Sequence, residues 1–580
     1  MLIFLLPTLL VAQSEQPVIK LQEQIVNKNL EAKLDSLFAS FNNDAAPGCA
    51  VTVLQDGKVL VRKSYGMASL EHRVPFSHKT VVRMPYSEAR EFIAIAAVLM
   101  ERDGVLKFDD RVRKFFPQLP AWAENITIRD LLNHRSGFSD EWAVLLLTQA
   151  SMANRFDESQ FLRLLAAQPE PEIAPGKGYL YSNSDFGLLR LVMERASGKK
   201  LPDWMQTRMF EPLKMRSTAM QRNPLDVIPD KADSYVPAGA NKFAHGRVQK
   251  TSPGGNYFIL TNAEDLQIWA AAHTDSSSEI AQAFARLWNE TRKIPGKENH
   301  SPVGYSQKQI GSKTVIAHEG VNGWNYLTRL PAERLTVITL GNLEYDGYAE
   351  QNREIVNYLL GVQPPAKLQL LTKPITVSAS ELKKYASRYL WQNQVSWQSL
   401  AEVRFSEFFV EGDKLKVLYS PGYTITLVPV ADGIFYYGEE AIGVQFIFTR
   451  AAKDAPFKVE VKYDDGPGET MIQDLTPMWQ PIREQLTPFT GKFYSPHLDF
   501  YWTIEQNADG KLFIKRPTIA DTPLLPGDAE NRFRFTSESY PGVNYRVTVQ
   551  FHRNEKGDIT HFIVQSGRVM KHRFEKIKSK

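Results

Sequence analysis

Three widely spaced groups in this 580-residue chain have the residue types of a nucleophilic site. Ser87 opens a helical pattern, Tyr181-Ser182-Asn183 precedes another, and His318-Glu319-Gly320 begins a glycine-rich turn at a strand end. A serine hydroxyl attacks a carbonyl effectively only when a nearby group takes its proton. The familiar short signatures are absent: there is no G-x-S-x-G elbow, no H-E-x-x-H and no Walker A loop. The eleven histidines lack metal-ligand spacing, so neither a metal nor another cofactor is expected. The single cysteine, Cys49, forbids an intrachain disulfide. It lies in the apolar run Cys49-Ala50-Val51 and reads as a buried, inert thiol, which leaves a serine as the candidate nucleophile.

Each group also has a plain structural reading. Ser87 could be a helix N-cap, although Arg90 stands where a capping box needs Glu or Gln. Tyr181 could be an ordinary aromatic, Asn183 or Ser184 a cap, and His318 a polar residue at a strand end.

The elements that must position these residues follow from periodicity. Cys49 to Gln55 and Lys58 to Tyr65 have strand character and are joined by Asp56-Gly57, a favourable tight-hairpin dipeptide. From Ser87 the apolar spacing becomes helical, through Phe92, Ala96, Leu99 and Met100 up to Gly104. Further helices are predicted over Ile128 to Asn133, Phe156 to Ala167 and Ser184 to Ala196. Strands return at Ile316 to His318, Asn325 to Leu330 and Leu335 to Leu340, the last two flanking the turn Pro331 to Arg334. A final helix runs from Tyr348 to Leu360. Strands at both ends with helices between imply an α+β domain whose terminal strands share one sheet.

Residues 362–376 read as a linker, with Pro364-Pro365 inside. Beyond it lies an all-β internal repeat. Leu382, Tyr385, Arg388 and Tyr389 match Leu486, Phe489, Lys492 and Phe493 at identical spacing. Lys414 to Val417 resembles Lys511 to Ile514, and Phe446 to Thr449 resembles Phe533 to Thr536. Two small antiparallel barrels are expected, over 377–480 and 481–580, after an α+β domain over 18–361.

The three groups and their surroundings resemble the serine β-lactamase and penicillin-binding-protein superfamily. The branch is that of class C β-lactamases, D-alanyl carboxypeptidases and related esterases. The likeness is carried by Ile126 to Gly137 (ITIRDLLNHRSG), Glu211 to Met215 (EPLKM), and Pro253-Gly254-Gly255 with Asp265-Leu266. It covers roughly Ala45 to Leu360. More weakly, the β repeats resemble the lipocalin-like domains that some three-domain members append.

The resemblance implies a role for each group. Ser87 is the nucleophile of an S-x-x-K motif, Tyr181 the proton relay, and Asn183 a substrate contact. His318 and Gly320 line the opposite wall, and the N–H groups of Ser87 and Asn322 form the oxyanion hole. Two chance S-x-x-K matches, Ser197 to Lys200 and Ser380 to Lys383, have the wrong context. The departures are Pro85-Tyr86 before the nucleophile and, above all, Arg90 in the lysine position. A lysine can be depressed into a working base, whereas an arginine stays protonated and cannot take the serine proton. Three outcomes stay open. Tyr181 acts as base beside Arg90, Glu91 substitutes as base, or the relay is dead and the domain binds without turnover.

The implied substrates are D-amino-acid peptides of peptidoglycan type, β-lactams or small esters. The alternative is a silent member that binds a peptide or lipid. Charge is nearly balanced, 69 Lys+Arg against 65 Asp+Glu, so a nucleic-acid partner is not expected. The basic stretch Lys571 to Lys580 reads as a solvated chain end. Met1 to Ala12 is apolar but too short to span a bilayer and lacks a basic start. It reads as a secretory signal ending near Ala12, which predicts a periplasmic or secreted bacterial protein with no membrane span. The sequence leaves the oligomeric state open.

Overall fold

The computed structural model describes residues 28–84, 86–148, 157–223, 226–238, 242–246, 258–291, 303–319, 325–343 and 347–362. In the C-terminal part it describes 374–392, 405–419, 423–437, 444–463, 468–516, 519–540, 543–566 and 568–577. The proposed signal, Gly320 and Asn322 lie outside these residues. Two compact units emerge. One comprises Met1–Leu106, Met193–Gln249 and Asn256–Gln363; the other comprises Lys107–Val192, Lys250–Gly255 and Pro364–Lys580.

In the first unit, the strands from the two ends of the α+β region do share a sheet. Cys49–Gln55 pairs antiparallel with Leu335–Gly341, from Cys49 opposite Gly341 to Gln55 opposite Leu335. The other edge of Cys49–Gln55 pairs with Lys58–Tyr65. The hairpin turn puts Asp56 at φ 50° and Gly57 at φ 72°, the left-handed pair that such a turn requires. The sheet continues from Leu335–Gly341 to Asn325–Leu330, Lys313–Glu319 and Tyr305–Ile310. Both faces of Cys49–Leu54 and of Leu335–Gly341 are buried, which explains their largely apolar runs, broken only by the buried Thr52, Thr336 and Thr339.

The helix Tyr86–Arg102 belongs to the same unit, and every residue from Ala89 to Met100 is buried. A helix buried on all sides is a core element, and here Arg90 and Glu91 are buried with the apolar residues. Phe92 stacks on Trp269 of the helix Ala263–Thr274, with ring centroids 4.5 Å apart.

The second unit contains the helices Ile128–Leu132, Glu141–Thr148 and Glu158–Ala166, and the start of Asn183–Ser197. Reciprocal capping boxes start two of them, Thr127 with Asp130 and Asp157 with Gln160.

Two closed eight-stranded antiparallel barrels complete this unit. The first has strands Ser387–Trp391, Phe405–Glu411, Lys414–Tyr419, Tyr423–Ala431, Ile434–Tyr437, Val444–Thr449, Lys458–Tyr463 and Glu469–Asp474. The second has strands Gly491–Ser495, Phe500–Gln506, Leu512–Arg516, Ile519–Pro526, Arg532–Tyr540, Val543–Arg553, Ile559–Ser566 and Val569–Lys576. In each, every strand pairs with the next and the last pairs back with the first. This up-and-down closure leaves no edge strand. One further pairing, Tyr423 opposite Val543, joins the barrels.

The repeat is visible in three dimensions, with one correction. Leu382, Tyr385 and Tyr389 are buried in the first barrel as Leu486, Phe489 and Phe493 are in the second. Lys414 to Val417 and Lys511 to Ile514 both fall at the third strand. The third match fails: Phe446 to Thr449 is in the sixth strand, whereas Phe533 to Thr536 is in the fifth. Phe446, Phe448, Phe533 and Phe535 all point inward, and any strand of an aromatic-filled barrel shows that alternation. The basic chain end is also corrected. Val569–Lys576 is the closing strand, with His572 and Phe574 buried.

Candidate active site

Ser87 is the second residue of the helix Tyr86–Arg102, inside its first turn and not in the flanking N-cap position. Arg90, one turn on, is 1% exposed and among the largest fully buried side chains of the protein. The adjacent carboxylate is already engaged. Glu91 Oε1 accepts hydrogen bonds from Trp269 Nε1 at 2.8 Å and Arg329 Nη2 at 2.7 Å, and His273 Nε2 lies 3.1 Å away. Tyr305 joins this cluster; burial first, and then the Glu91 charge, push its phenol well above the usual range. The geometry favours Glu91 as the anion of a buried network over Glu91 as a stand-in base. His318 lies near the end of Lys313–Glu319, with its backbone opposite Tyr305 on one side and Leu327 on the other.

The second unit carries Tyr181 and Asn183, and here the surroundings are dense. Asn183 starts its helix and is 7% exposed. Its backbone N–H and its Nδ2 both donate to Asp140 Oδ2 at 2.9 Å. A carboxylate only accepts, so the NH2 end of the amide must face Asp140, which fixes its orientation. Asp140 is fully buried, and its Oδ1 accepts from Ala143 N–H at 3.0 Å. Arg568 Nη1 donates to Asp140 Oδ2 at 3.0 Å, reaching across 428 residues of sequence. The same guanidinium lies over the Tyr181 ring, 4.1 Å from its centroid.

His134 braces the Tyr181 segment from within. Its ring is 4.8 Å from that of Tyr181, and its Nδ1 is 3.2 Å from Asp185 Oδ2 and 3.3 Å from the Ser182 N–H. Ser136 Oγ donates to the other oxygen of Asp185. Gly137 is required here. Its φ is 83°, and an added Cβ would stand 2.4 Å from the Ile173 carbonyl oxygen. The serine and glycine of the Ile126 to Gly137 segment thus shape the loop that carries Asp140.

A second buried carboxylate secures the same loop to the second barrel. Glu172 accepts from Ser139 Oγ at 2.7 Å, Met570 N–H at 2.8 Å and Lys571 N–H at 3.0 Å. Burial pushes its carboxyl above the ordinary range, against the lowering effect of these donors. The structure therefore brings Tyr181 and Asn183 together with Asp140, Glu172 and Arg568, none of which the sequence pattern singled out. Asp140 and Glu141 are adjacent acidic residues at the start of an apolar helix, and the structure buries both completely, but no local pattern ties either to Tyr181 or Arg568.

A family model for β-lactamases matches residues 30–360. The D-aminopeptidase of Gluconobacter oxydans is 26% identical over 317 residues, covering 54% of this chain and 58% of that protein. The D-aminopeptidase of Brucella anthropi is 28% identical over 321 residues, covering 54% and 60%. The chain thus spans about 60% of the length of these two relatives. Penicillin-binding protein 4* of Bacillus subtilis is 26% identical over 470 residues, covering 77% of this chain and 100% of that protein. Among solved structures, the octameric penicillin-binding protein homologue from Pyrococcus abyssi superposes with a TM-score of 0.52 at 20% identity. That match covers 77% of this chain and 99% of the homologue, a likeness of fold.

Proposed function

The chain belongs to the β-lactamase family, and from that premise we propose that it is a serine hydrolase forming an acyl-enzyme on an amide or ester. The similarity to D-aminopeptidases favours amides of D-amino acids, with β-lactams and small esters as related acyl donors. The Ser87 hydroxyl attacks the carbonyl, and its proton passes to Tyr181 acting as a phenolate beside the Arg90 charge. The oxyanion sits on the N–H of Ser87 and that of Asn322, and Asn183 and His318 hold the substrate. The proton returns to the leaving amine or alcohol as the C–N or C–O bond breaks. Water then attacks the acyl-enzyme, giving a proton to the Tyr181 phenolate, which passes it to the Ser87 oxygen as the ester C–O bond breaks and the acid is released.

The observation that carries this reading is the bracing of Tyr181 and Asn183 by fully buried Asp140 and His134. Placing two buried polar groups to orient an amide and a phenol is costly unless that orientation is used. Arg90 sets the rate. A protonated guanidinium supplies charge but no base, and losing a general base typically slows a reaction about 10²–10⁴-fold.

The second reading, a silent family member that binds a peptide or lipid, is supported by the same Arg90, buried where the relay lysine stands. For lipid, the barrel interiors offer little support, since aromatic side chains fill them. Export through cleavage near Ala12 also belongs to this proposal, and amino-terminal sequencing of the mature protein tests it.

The functional test is acylation. Purified protein incubated with a fluorophosphonate is expected to carry the label on Ser87, located by mass spectrometry. No label at saturating probe would select the silent reading. Arg90→Lys is expected to raise turnover of p-nitrophenyl esters by at least about tenfold. Unchanged turnover would remove this position from the relay.

A further inference from the structure

The last hairpin of the chain touches the Tyr181–Asn183 segment, although it belongs to the second barrel and not to the segment matched by the family. Arg568 follows the strand Ile559–Ser566 and precedes Val569–Lys576. Its side chain is 31% exposed, whereas the Asp140 carboxylate that it meets is fully buried. A buried carboxylate needs a cation or several donors to remain charged, and here it has both. The charge in turn fixes Asn183: an ionised Asp140 accepts only, so it accepts the amide NH2 and rejects the amide oxygen. The guanidinium also lies over the Tyr181 ring, 4.1 Å from its centroid, and a lysine ammonium lacks the planar fork that reaches both this ring and Asp140.

We propose that Arg568 is a positioning residue of the hydrolytic site: it neutralises Asp140, lies on Tyr181, and so holds the Asn183 amide and the Tyr181 ring in their working orientations. This rests on the serine-hydrolase reading above and extends it, because the second barrel then becomes part of the catalytic apparatus. Arg568 touches neither the attacking oxygen nor the scissile bond; it acts through Asp140, Asn183 and Tyr181.

The test compares full-length wild type with Arg568→Ala, Arg568→Lys and His497→Ala. The readouts are the rate of fluorophosphonate labelling at Ser87, kcat and KM on p-nitrophenyl acetate, and melting temperature. Arg568→Ala is expected to lower labelling about 10- to 100-fold, since small misplacements of reacting groups cost that much. Both kcat and KM should worsen, because both Tyr181 and Asn183 are released. Arg568→Lys keeps the charge on Asp140 but not the stacking, so KM should recover while kcat stays several-fold low, about midway on a logarithmic scale. Millimolar guanidinium should restore part of the Arg568→Ala rate. His497→Ala removes a different bond between the second barrel and the helices, so it should lower the melting temperature while leaving kcat and KM within about twofold.

Equal labelling of folded Arg568→Ala and wild type would overturn the inference, as would an equal loss of rate in His497→Ala. If Arg568→Ala does not fold, Arg568→Lys decides, and a wild-type kcat there overturns the proposal. A wild-type chain that neither labels nor hydrolyses overturns the hydrolase reading itself, an outcome visible before any variant is made.

Discussion

The two barrels share strand count, strand order and a short capping helix before the first strand, Ala379–Leu382 in one and Arg483–Leu486 in the other, but their cores end differently. The buried core of the first is built wholly from residues between Leu382 and Met471. That of the second also includes Val144, Leu147 and Leu164, which come from the helices Glu141–Thr148 and Glu158–Ala166. Polar bonds reinforce the junction: Trp502 Nε1 donates to the Leu147 carbonyl at 3.2 Å and His497 Nε2 to that of Leu164 at 3.0 Å. The closing hairpin of the same barrel adds Arg568 and the N–H groups of Met570 and Lys571. Of the two barrels, only the second carries these ties to the segment with Tyr181 and Asn183 among the described residues. A barrel of this kind is thus a rigid frame whose function depends on what its ends and turns meet.

The sharpest way to break the comparison is to hollow out each barrel. Trp502 is fully buried, with rings of Phe535, Phe562 and Phe574 at 5.6, 5.5 and 4.6 Å. Phe408 is the first barrel's counterpart, against Tyr389, Phe446 and Phe448. Each change to alanine should cost about 3–5 kcal/mol, from lost transfer free energy and the cavity left behind. Trp502→Ala should also lower esterase turnover, because it loosens the junction at Leu147, whereas Phe408→Ala should leave turnover near wild type. Hydrogen exchange followed by mass spectrometry, alongside steady-state kinetics, reads both effects. Equal loss of turnover in the two variants would show that the barrels are not functionally distinct.

Much of the frame was readable from sequence because it is written in short-range signals. Asp56-Gly57 named a hairpin, the change of period at Ser87 named a helix, and strands at both ends implied the shared sheet that pairs Cys49 with Gly341. The repeat was readable where it rests on capping-helix residues such as Leu382 and Tyr385. It misled at Phe446 to Thr449, because alternating inward aromatics occur on strands at different positions in the two barrels. Asp140 and Arg568 were not readable, since no local pattern connects residues 428 positions apart. Glu91 was readable as a charge but not as a network member, because Trp269, His273 and Arg329 reach it only through tertiary packing.

A smaller perturbation sharpens the comparison at the closing strand. Glu172→Ala would leave the Ser139 hydroxyl and the N–H groups of Met570 and Lys571 without their acceptor. Unmet buried donors make such a change cost about 2–3 kcal/mol. The loss should appear as faster hydrogen exchange in Val569–Lys576, with Ser387–Trp391 of the first barrel unchanged. Glu172→Gln keeps one acceptor oxygen and should lose about half as much. Exchange that quickens equally in both barrels would mean that they open as one unit.

Acid should separate the barrels most gently of all. Residues 377–480 contain no histidine, whereas the second barrel holds His497 and His572 stacked with ring centroids 5.1 Å apart. Burial pushes His497 down to about 4, against the raising effect of its bond to the Leu164 carbonyl. His572 is pushed well below its usual range by burial and then by the His497 charge. An unfolded chain binds these protons near pH 6.5, whereas the folded barrel does so only at lower pH. Stability is therefore complete above about 6.5 and falls as pH drops towards 4, with His497 alone contributing on the order of 2 kcal/mol by pH 4.5. Glu172, with its raised carboxyl, works in the opposite sense, so the histidine contribution is isolated by comparing wild type with His497→Asn. The expected result is a second barrel whose hydrogen exchange accelerates between pH 6.5 and 4.5 in wild type and less steeply in the variant. An unaltered pH slope in His497→Asn would show that the stacked histidines do not carry the acid sensitivity.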